Sequence, residues 1–187
     1  MDGHFVPNLS FGVPLLNAVR STVSLPIDSH LMVREPENLI EMFLPKSDQV
    51  VFHLEATSEP EKCIELVQRA QKRVGIALNP DTAVSRVAPF LNRVDSVLLM
   101  SVFPGFGGQE FRPSTLDRVA EVRQMVERLG RDIKIWVDGG VSPLNCDALA
   151  RAGAGALVAG SAICRSADYA AAIARLRGSE GSGPRSA

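Results

Sequence analysis

Three strand-like runs hold the side chains with the most chemical potential. In Ile27-Asp28-Ser29-His30-Leu31-Met32, a period of two puts Asp28, His30 and Met32 on one face of an extended segment. In Val51-Phe52-His53-Leu54-Glu55, it puts His53 with Glu55. A third run, Ile133-Lys134-Ile135-Trp136-Val137, leads into Asp138, Gly139 and Gly140. His30 and Asp138 together offer an imidazole nitrogen and a carboxylate oxygen, donors that suit a divalent transition metal. Two donors alone make a weak site. A single histidine on a strand is more often a hydrogen-bonded core residue than a ligand, and His53 reads first in that way. Met32 and Met100 read first as core filler.

A second chemistry is written in glycines. Pro104-Gly105-Phe106-Gly107-Gly108 follows an apolar run and leaves backbone N–H groups bare, as close approach by a phosphate or other small anion requires. A tight turn would use the same residues. Gly139-Gly140 and Gly160-Ser161 repeat the feature in the next two units, although Gly160-Ser161 could equally be a helix cap. Three glycine-bearing strand-to-helix turns in succession favour a phosphorylated substrate, because phosphate sites of barrels lie in the loops after the last strands.

Alternating elements must position these residues. Short apolar or β-branched runs predict strands over 25–33, 50–56, 74–78, 97–102, 133–137 and 156–159. Helical periodicity predicts helices over 36–42, 60–72, 84–91, 115–129, 143–152 and 167–177. Within 115–129, Leu116, Val119, Val122, Val126 and Leu129 form a stripe that should cover a sheet. Strands separated by helices pair in parallel with right-handed crossovers, which gives an α/β fold, either doubly wound or a (β/α)8 barrel. Six units fall short of a barrel's eight, and residues 1–12 read as a loop of the type that follows a strand.

At 187 residues the chain is expected to form a single domain over 1–177, with a Gly/Ser-rich disordered tail over 178–187. A formal net charge of -1 gives no nucleic-acid footprint, and no apolar run is long enough to imply a membrane. Cys63, Cys146 and Cys164 are odd in number and widely spaced, which fits a reduced, cytoplasmic setting, and no leader is evident.

Taken in order, the motifs resemble the ribulose-phosphate 3-epimerase family. They are Met1-Asp2-Gly3-His4-Phe5-Val6-Pro7-Asn8 with Phe11-Gly12, Asp28-Ser29-His30-Leu31-Met32-Val33, and His53-Leu54-Glu55-Ala56-Thr57. Met100-Ser101-Val102 through Phe111, Val137-Asp138-Gly139-Gly140-Val141 and Gly160-Ser161-Ala162-Ile163 complete them. Each is weak alone; six in this order are specific.

The resemblance implies a (β/α)8 TIM barrel of the ribulose-phosphate-binding type. It also implies interconversion of D-ribulose 5-phosphate and D-xylulose 5-phosphate in pentose phosphate metabolism, by proton transfer between two aspartates at C3 with a divalent metal ion. Zn, Fe, Mn and Co are not distinguished. By position, His30 corresponds to a metal ligand and Asp138 to both a ligand and an acid/base residue. Met1, Met32 and Met100 correspond to a cap over the intermediate. Gly105, Phe106, Gly107, Gly108, Gly139, Gly140, Gly160 and Ser161 correspond to phosphate and loop contacts. The partner is a small sugar phosphate, and a homo-oligomer is expected. Relative to the family, the first strand, the first helix and most of the second strand are expected to be missing, with one histidine ligand and the second aspartate. Catalysis by this chain alone would then be impaired. Asp2 matches the turn aspartate of its motif, not the catalytic one. Ser29 and Phe103 depart from the family pattern. A non-catalytic phosphosugar-binding or assembly module and an epimerase of a hexulose 6-phosphate are the alternatives.

Overall fold

The computed structural model describes residues 1–178, so the tail expected over 178–187 lies outside the described residues except for Gly178. Six strands form one sheet: β1 (Asp28–Leu31), β2 (Gln49–His53), β3 (Arg73–Leu78), β4 (Ser96–Met100), β5 (Lys134–Asp138) and β6 (Ala156–Val158). Every neighbouring pair is parallel and the spatial order follows the sequence order, the arrangement of a (β/α) barrel wall. Among the described residues, β1 and β6 each pair on one side only.

Alternation along the strands separates two apolar layers. Val50 and Phe52 of β2, Val74, Ile76 and Leu78 of β3, Val97 and Leu99 of β4, and Ile135 and Val137 of β5 enter the large cluster against the helices. Val51, Ala77, Leu98 and Met100 point the other way and make a smaller cluster with Val102, Met32 and Trp136. This inner layer is tight where Gly75 sits, because a Cβ there would run into Ser96 Oγ and Val51 Cγ2. Burying Phe52 completely on the outer face contributes roughly 2–3 kcal/mol.

The helices are α1 (Val13–Thr22), α2 (Ile40–Phe43), α3 (Pro60–Arg69), α4 (Thr115–Leu129), α5 (Cys146–Ala152), α6 (Ser161–Cys164) and α7 (Tyr169–Leu176). In α4, Val119, Val122 and Val126 are buried on the predicted stripe, and Gly130 closes the helix at φ +66, a left-handed cap that costs glycine little. The segment predicted as a helix over 84–91 is instead a 3-10 helix, Val84–Arg93. Pro89 lies inside it and has no N–H to donate. The predicted helix over 36–42 divides into a 3-10 turn, Pro36–Asn38, and α2. Strand 25–33 shortens to β1, and the last predicted helix, over 167–177, is α7, with α6 a separate short helix before it. Helix α1 has no counterpart among the predicted helices.

Residues 1–12 are a loop, as expected, pinned by an antiparallel bridge between Asp2 and Leu9. Asp2 serves the loop. Its Oδ1 accepts from the backbone N–H groups of His4 and Phe5 at 2.9 and 3.0 Å, and its Oδ2 accepts from that of Arg34 at 2.8 Å. Burial works to raise its pKa, but these hydrogen bonds outweigh it and hold the carboxyl below its usual range.

Candidate active site

The parallel strands all end at one rim, and the residues singled out in the sequence meet there. A cavity of about 310 Å³ is lined by Met1, His30, Met32, Met100, Gly105, Phe106, Gly107, Gly108, Asp138, Gly139, Gly140, Gly160 and Ser161. Asp138 is the only carboxylate among its lining residues. Pairing places Met100 beside Asp138 and Asp138 beside Val158, while His30 reaches the rim from the edge strand β1.

At one end, His30 Nδ1 lies 3.7 Å from Asp138 Oδ2, with both side chains partly exposed. An ion shared between an imidazole and a carboxylate sits about 2.0–2.2 Å from each donor, so this separation fits two ligands of one divalent ion. Among the described residues, no third His, Cys, Asp or Glu completes a metal-holding group with them. The pair therefore fits as part of a donor set.

Behind His30 lies His53, fully buried at the end of β2. The two Nε2 atoms are 2.8 Å apart. Loss of solvation pushes the His53 pKa down to about 4, overriding the opposite pull of Glu55, so the ring is neutral at pH 7. Glu55 Oε2 lies 3.4 Å from His53 Nδ1, and Glu55 Oε1 accepts from the Asn79 backbone N–H at 2.8 Å. Burial favours the protonated acid at Glu55. The neighbouring His53 and Thr82 side chains and the Asn79 N–H prevail and bring the pKa down to about 2. Phe5 packs its ring on His53 at a centroid distance of 4.8 Å.

At the other end are the glycine turns, which divide into two kinds. Gly139 and Gly140 adopt φ +110 and +59, and a Cβ on either would collide with the protein, with Val102 at Gly139 and with the Phe111 backbone at Gly140. Those two are demanded by the fold. Gly107 and Gly160 meet nothing within 4 Å of a built Cβ, so the missing side chain leaves room in the cavity. Such room suits a ligand that must approach the backbone closely.

Several supporting residues were not singled out in the sequence. Ser101 donates from its hydroxyl to the Gly139 carbonyl, and its backbone N–H donates to the Asp138 carbonyl at 2.8 Å, fixing the turn that aims Asp138. Asn8 Nδ2 donates to the Gly105 carbonyl at 2.6 Å and holds the first loop against the glycine turn. The Arg165 guanidinium lies against Gly108. Position in a quoted motif was the available signal for Ser101 and Asn8; Arg165 is brought in by a tertiary contact alone. The two departures from the family pattern are accommodated locally. Ser29 shares a hydrogen bond with Ser47 at 2.7 Å, and Phe103 packs under the Arg112 guanidinium at 4.7 Å.

Fold and site together define a TIM-barrel type of enzyme, with a polar site at the carboxyl ends of parallel strands. Comparison with known proteins makes the assignment narrower. The model of the ribulose-phosphate 3 epimerase family matches residues 1–164. The chain is 41% identical over 182 residues to ribulose-phosphate 3-epimerase of Bacillus subtilis (strain 168), taking in 96% of this chain and 84% of that protein. It is 40% identical over 179 residues to ribulose-phosphate 3-epimerase of Escherichia coli (strain K12), taking in 95% and 80%. Among solved structures, 3-hexulose-6-phosphate synthase superposes with a TM-score of 0.71 over 89% of this chain and 80% of its own, at 22% identity. KGPDC from Streptococcus mutans does so with a TM-score of 0.69 over 89% and 77%, at 14% identity. These two likenesses show the fold. The chain belongs to the ribulose-phosphate 3-epimerase family, a family of isomerases.

Proposed function

We infer that this chain carries the C3 chemistry of its family on D-ribulose 5-phosphate and D-xylulose 5-phosphate, with Asp138 as the acid/base on one face. The observation that carries the reading is the one cavity that joins the His30–Asp138 pair to three glycine turns. A sugar phosphate lies with its anion at Gly105–Gly108, Gly139, Gly140, Gly160 and Ser161, where backbone N–H groups and the small side chains admit it. Its reacting carbon then lies at Asp138. The Asp138 carboxylate takes the C3 proton, the electron pair moves into an enediolate, and a proton returned from the opposite face completes inversion. Asp138 supplies one face; the opposite-face donor is not among the residues lining the described cavity. Met1, Met32 and Met100 give the planar intermediate an apolar cover that excludes water. A divalent ion, held in part by His30 and Asp138, would polarise the ketone and stabilise developing negative charge. The names of the relatives support the pentulose substrate over a hexulose phosphate.

The same reading places the protein in pentose phosphate metabolism, in the cytoplasm and as a homo-oligomer. Three unpaired cysteines support a reduced compartment, and exposed apolar side chains around β1 support self-association. No helix of the described residues is long and apolar enough to cross a membrane.

The test is solvent exchange. In D2O with each epimer and a divalent ion, this chain is expected to place deuterium at C3 of at least one epimer, whether or not inversion follows. Asp138→Asn is expected to lower that exchange by several orders of magnitude. Undiminished exchange in the variant would overturn the assignment of Asp138.

A further inference from the structure

We propose that His53 and Glu55 are positioning residues, a buried relay that fixes the tautomer of His30 with its proton on Nε2 and its lone pair on Nδ1, facing Asp138. The proposal deepens the reading of His30 as a donor at the reacting centre and rests on it. The hydrogen-bond inventory of the three side chains leads to it. Strand β2 ends at His53, and the 3-10 turn Leu54–Ala56 that follows brings Glu55 back beside the ring. His53 Nδ1 and Glu55 Oε2 are both buried and lie 3.4 Å apart, and neither has a hydrogen-bond partner elsewhere among the described residues, so each is the group available to satisfy the other. An ionised carboxylate only accepts, so the His53 proton belongs on Nδ1. In a neutral ring, Nε2 is then the acceptor. The two Nε2 atoms are the closest approach of the rings, at 2.8 Å, with planes inclined by only 18° and centroids 4.9 Å apart. The imidazoles thus meet end to end, as a hydrogen bond between them needs. The nitrogen of His30 that faces His53 must donate, which leaves Nδ1 of His30 as its lone-pair atom, 3.7 Å from Asp138 Oδ2.

A ligating histidine generally donates its other ring N–H to a carboxylate, carbonyl or water. Here the acceptor is a second imidazole, and the carboxylate stands one residue further back. The Phe5 ring against His53 and the Asn79 N–H on Glu55 restrain the relay from both sides.

The chain has three histidines, so this chain labelled with 15N-histidine can be read by two-bond nitrogen–proton correlation at about pH 8, without metal or substrate. The expected pattern is a proton on Nε2 of His30 and on Nδ1 of His53. A proton on Nδ1 of His30 in the unaltered chain overturns the proposal, and that measurement needs no variant. Glu55→Leu removes the carboxylate, and His53→Phe removes the acceptor while keeping a ring in the space. Either is expected to move a substantial fraction of the His30 proton from Nε2 to Nδ1. A His30 tautomer unchanged in both would reduce His53 and Glu55 to a structural role and overturn the relay. The C3 exchange experiment separates the two readings. The expected tautomers without exchange would retain the relay and remove the epimerase assignment, whereas exchange with the opposite tautomers would do the reverse.

Discussion

The phosphate role of Ser161 can be tested by charge. Its side chain lines the cavity at the start of α6, and Ser161→Asp would set a negative group beside the substrate's own. Like charges a few ångströms apart near a protein surface repel by up to about 4 kcal/mol. In the C3 exchange reaction, the half-saturating concentration of the sugar phosphate is expected to rise by at least about ten-fold with a smaller change in the saturated rate, and an unchanged half-saturating concentration would remove Ser161 from the phosphate site. Glu55 makes a prediction of a different kind, in stability against pH. Its folded pKa of about 2 lies below the ordinary 4.5, so its contribution is fully present above about pH 4.5 and is lost as pH falls towards 2. Such a shift corresponds to at most about 3 kcal/mol before solvent screening. Denaturant midpoints between pH 5 and 2.5 should fall more steeply for the native chain than for Glu55→Gln, and parallel curves would count against the buried carboxylate. At this scale, the sequence exposed the ends of the site more readily than its support. His30, Asp138 and the glycines stand at strand termini, where chemistry is expected. The role of His53 depends on a nitrogen-to-nitrogen contact across 23 residues, which no spacing rule reports.

Strand-to-helix turns are the elements that shape the cavity, and the two kinds of glycine in them should respond differently to the same substitution. Gly140→Ala places a methyl group against the Phe111 backbone at φ +59, where neither side can yield cheaply. It is expected to destabilise the protein by about 1–3 kcal/mol in denaturant titration as well as to weaken substrate binding. Gly160→Ala meets only open space at φ -89, so its stability should stay within about 0.5 kcal/mol while substrate affinity falls. Equal effects of the two on both measurements would refute the division. Helix α1 shows where pattern reading lost an element. Gly12 as N-cap and Pro14 in the first turn are a start signal, but β-branched Val13 and Thr22 bound the helix and only Leu16 of its side chains is buried. Its apolar positions therefore lack the core-facing stripe that made 115–129 legible. The 84–93 segment kept its apolar period, yet period alone does not separate an α-helix from a tighter 3-10 run containing proline.

At the scale of the whole molecule, the six-strand parallel order was legible because most of the strands are compact apolar runs bounded by polar turns, while β1 (Asp28–Leu31) is mostly polar and shows itself by the apolar residues that flank it. Strand ends moved by up to three residues, since the backbone pairing that defines them depends on neighbours remote in sequence. Among the described residues, the same order leaves β1 and β6 each with an unpaired side, the feature that natural sheets usually cover or charge. Around β1 the surface is apolar. Phe11 and Leu25 are 78% and 69% exposed, and Leu15 and Val19 of α1 border a second cavity of about 450 Å³ that opens between that helix and β1. Burying such side chains contributes about 25 cal/mol per Å², so a second copy laid on this face would bring together open strand edges and apolar surface at once. Self-association of the chain is therefore expected, with the weight-average mass in sedimentation equilibrium rising above 20.1 kDa as concentration increases. Leu15→Glu combined with Val19→Glu puts two charges on the exposed side of α1 while leaving the buried Leu16 in place. That variant should weaken association by about ten-fold or more, because each carboxylate would lose its hydration in the contact. A strictly monomeric native chain at every concentration, or association unaltered by the paired substitution, would show that the α1–β1 face does not hold copies together.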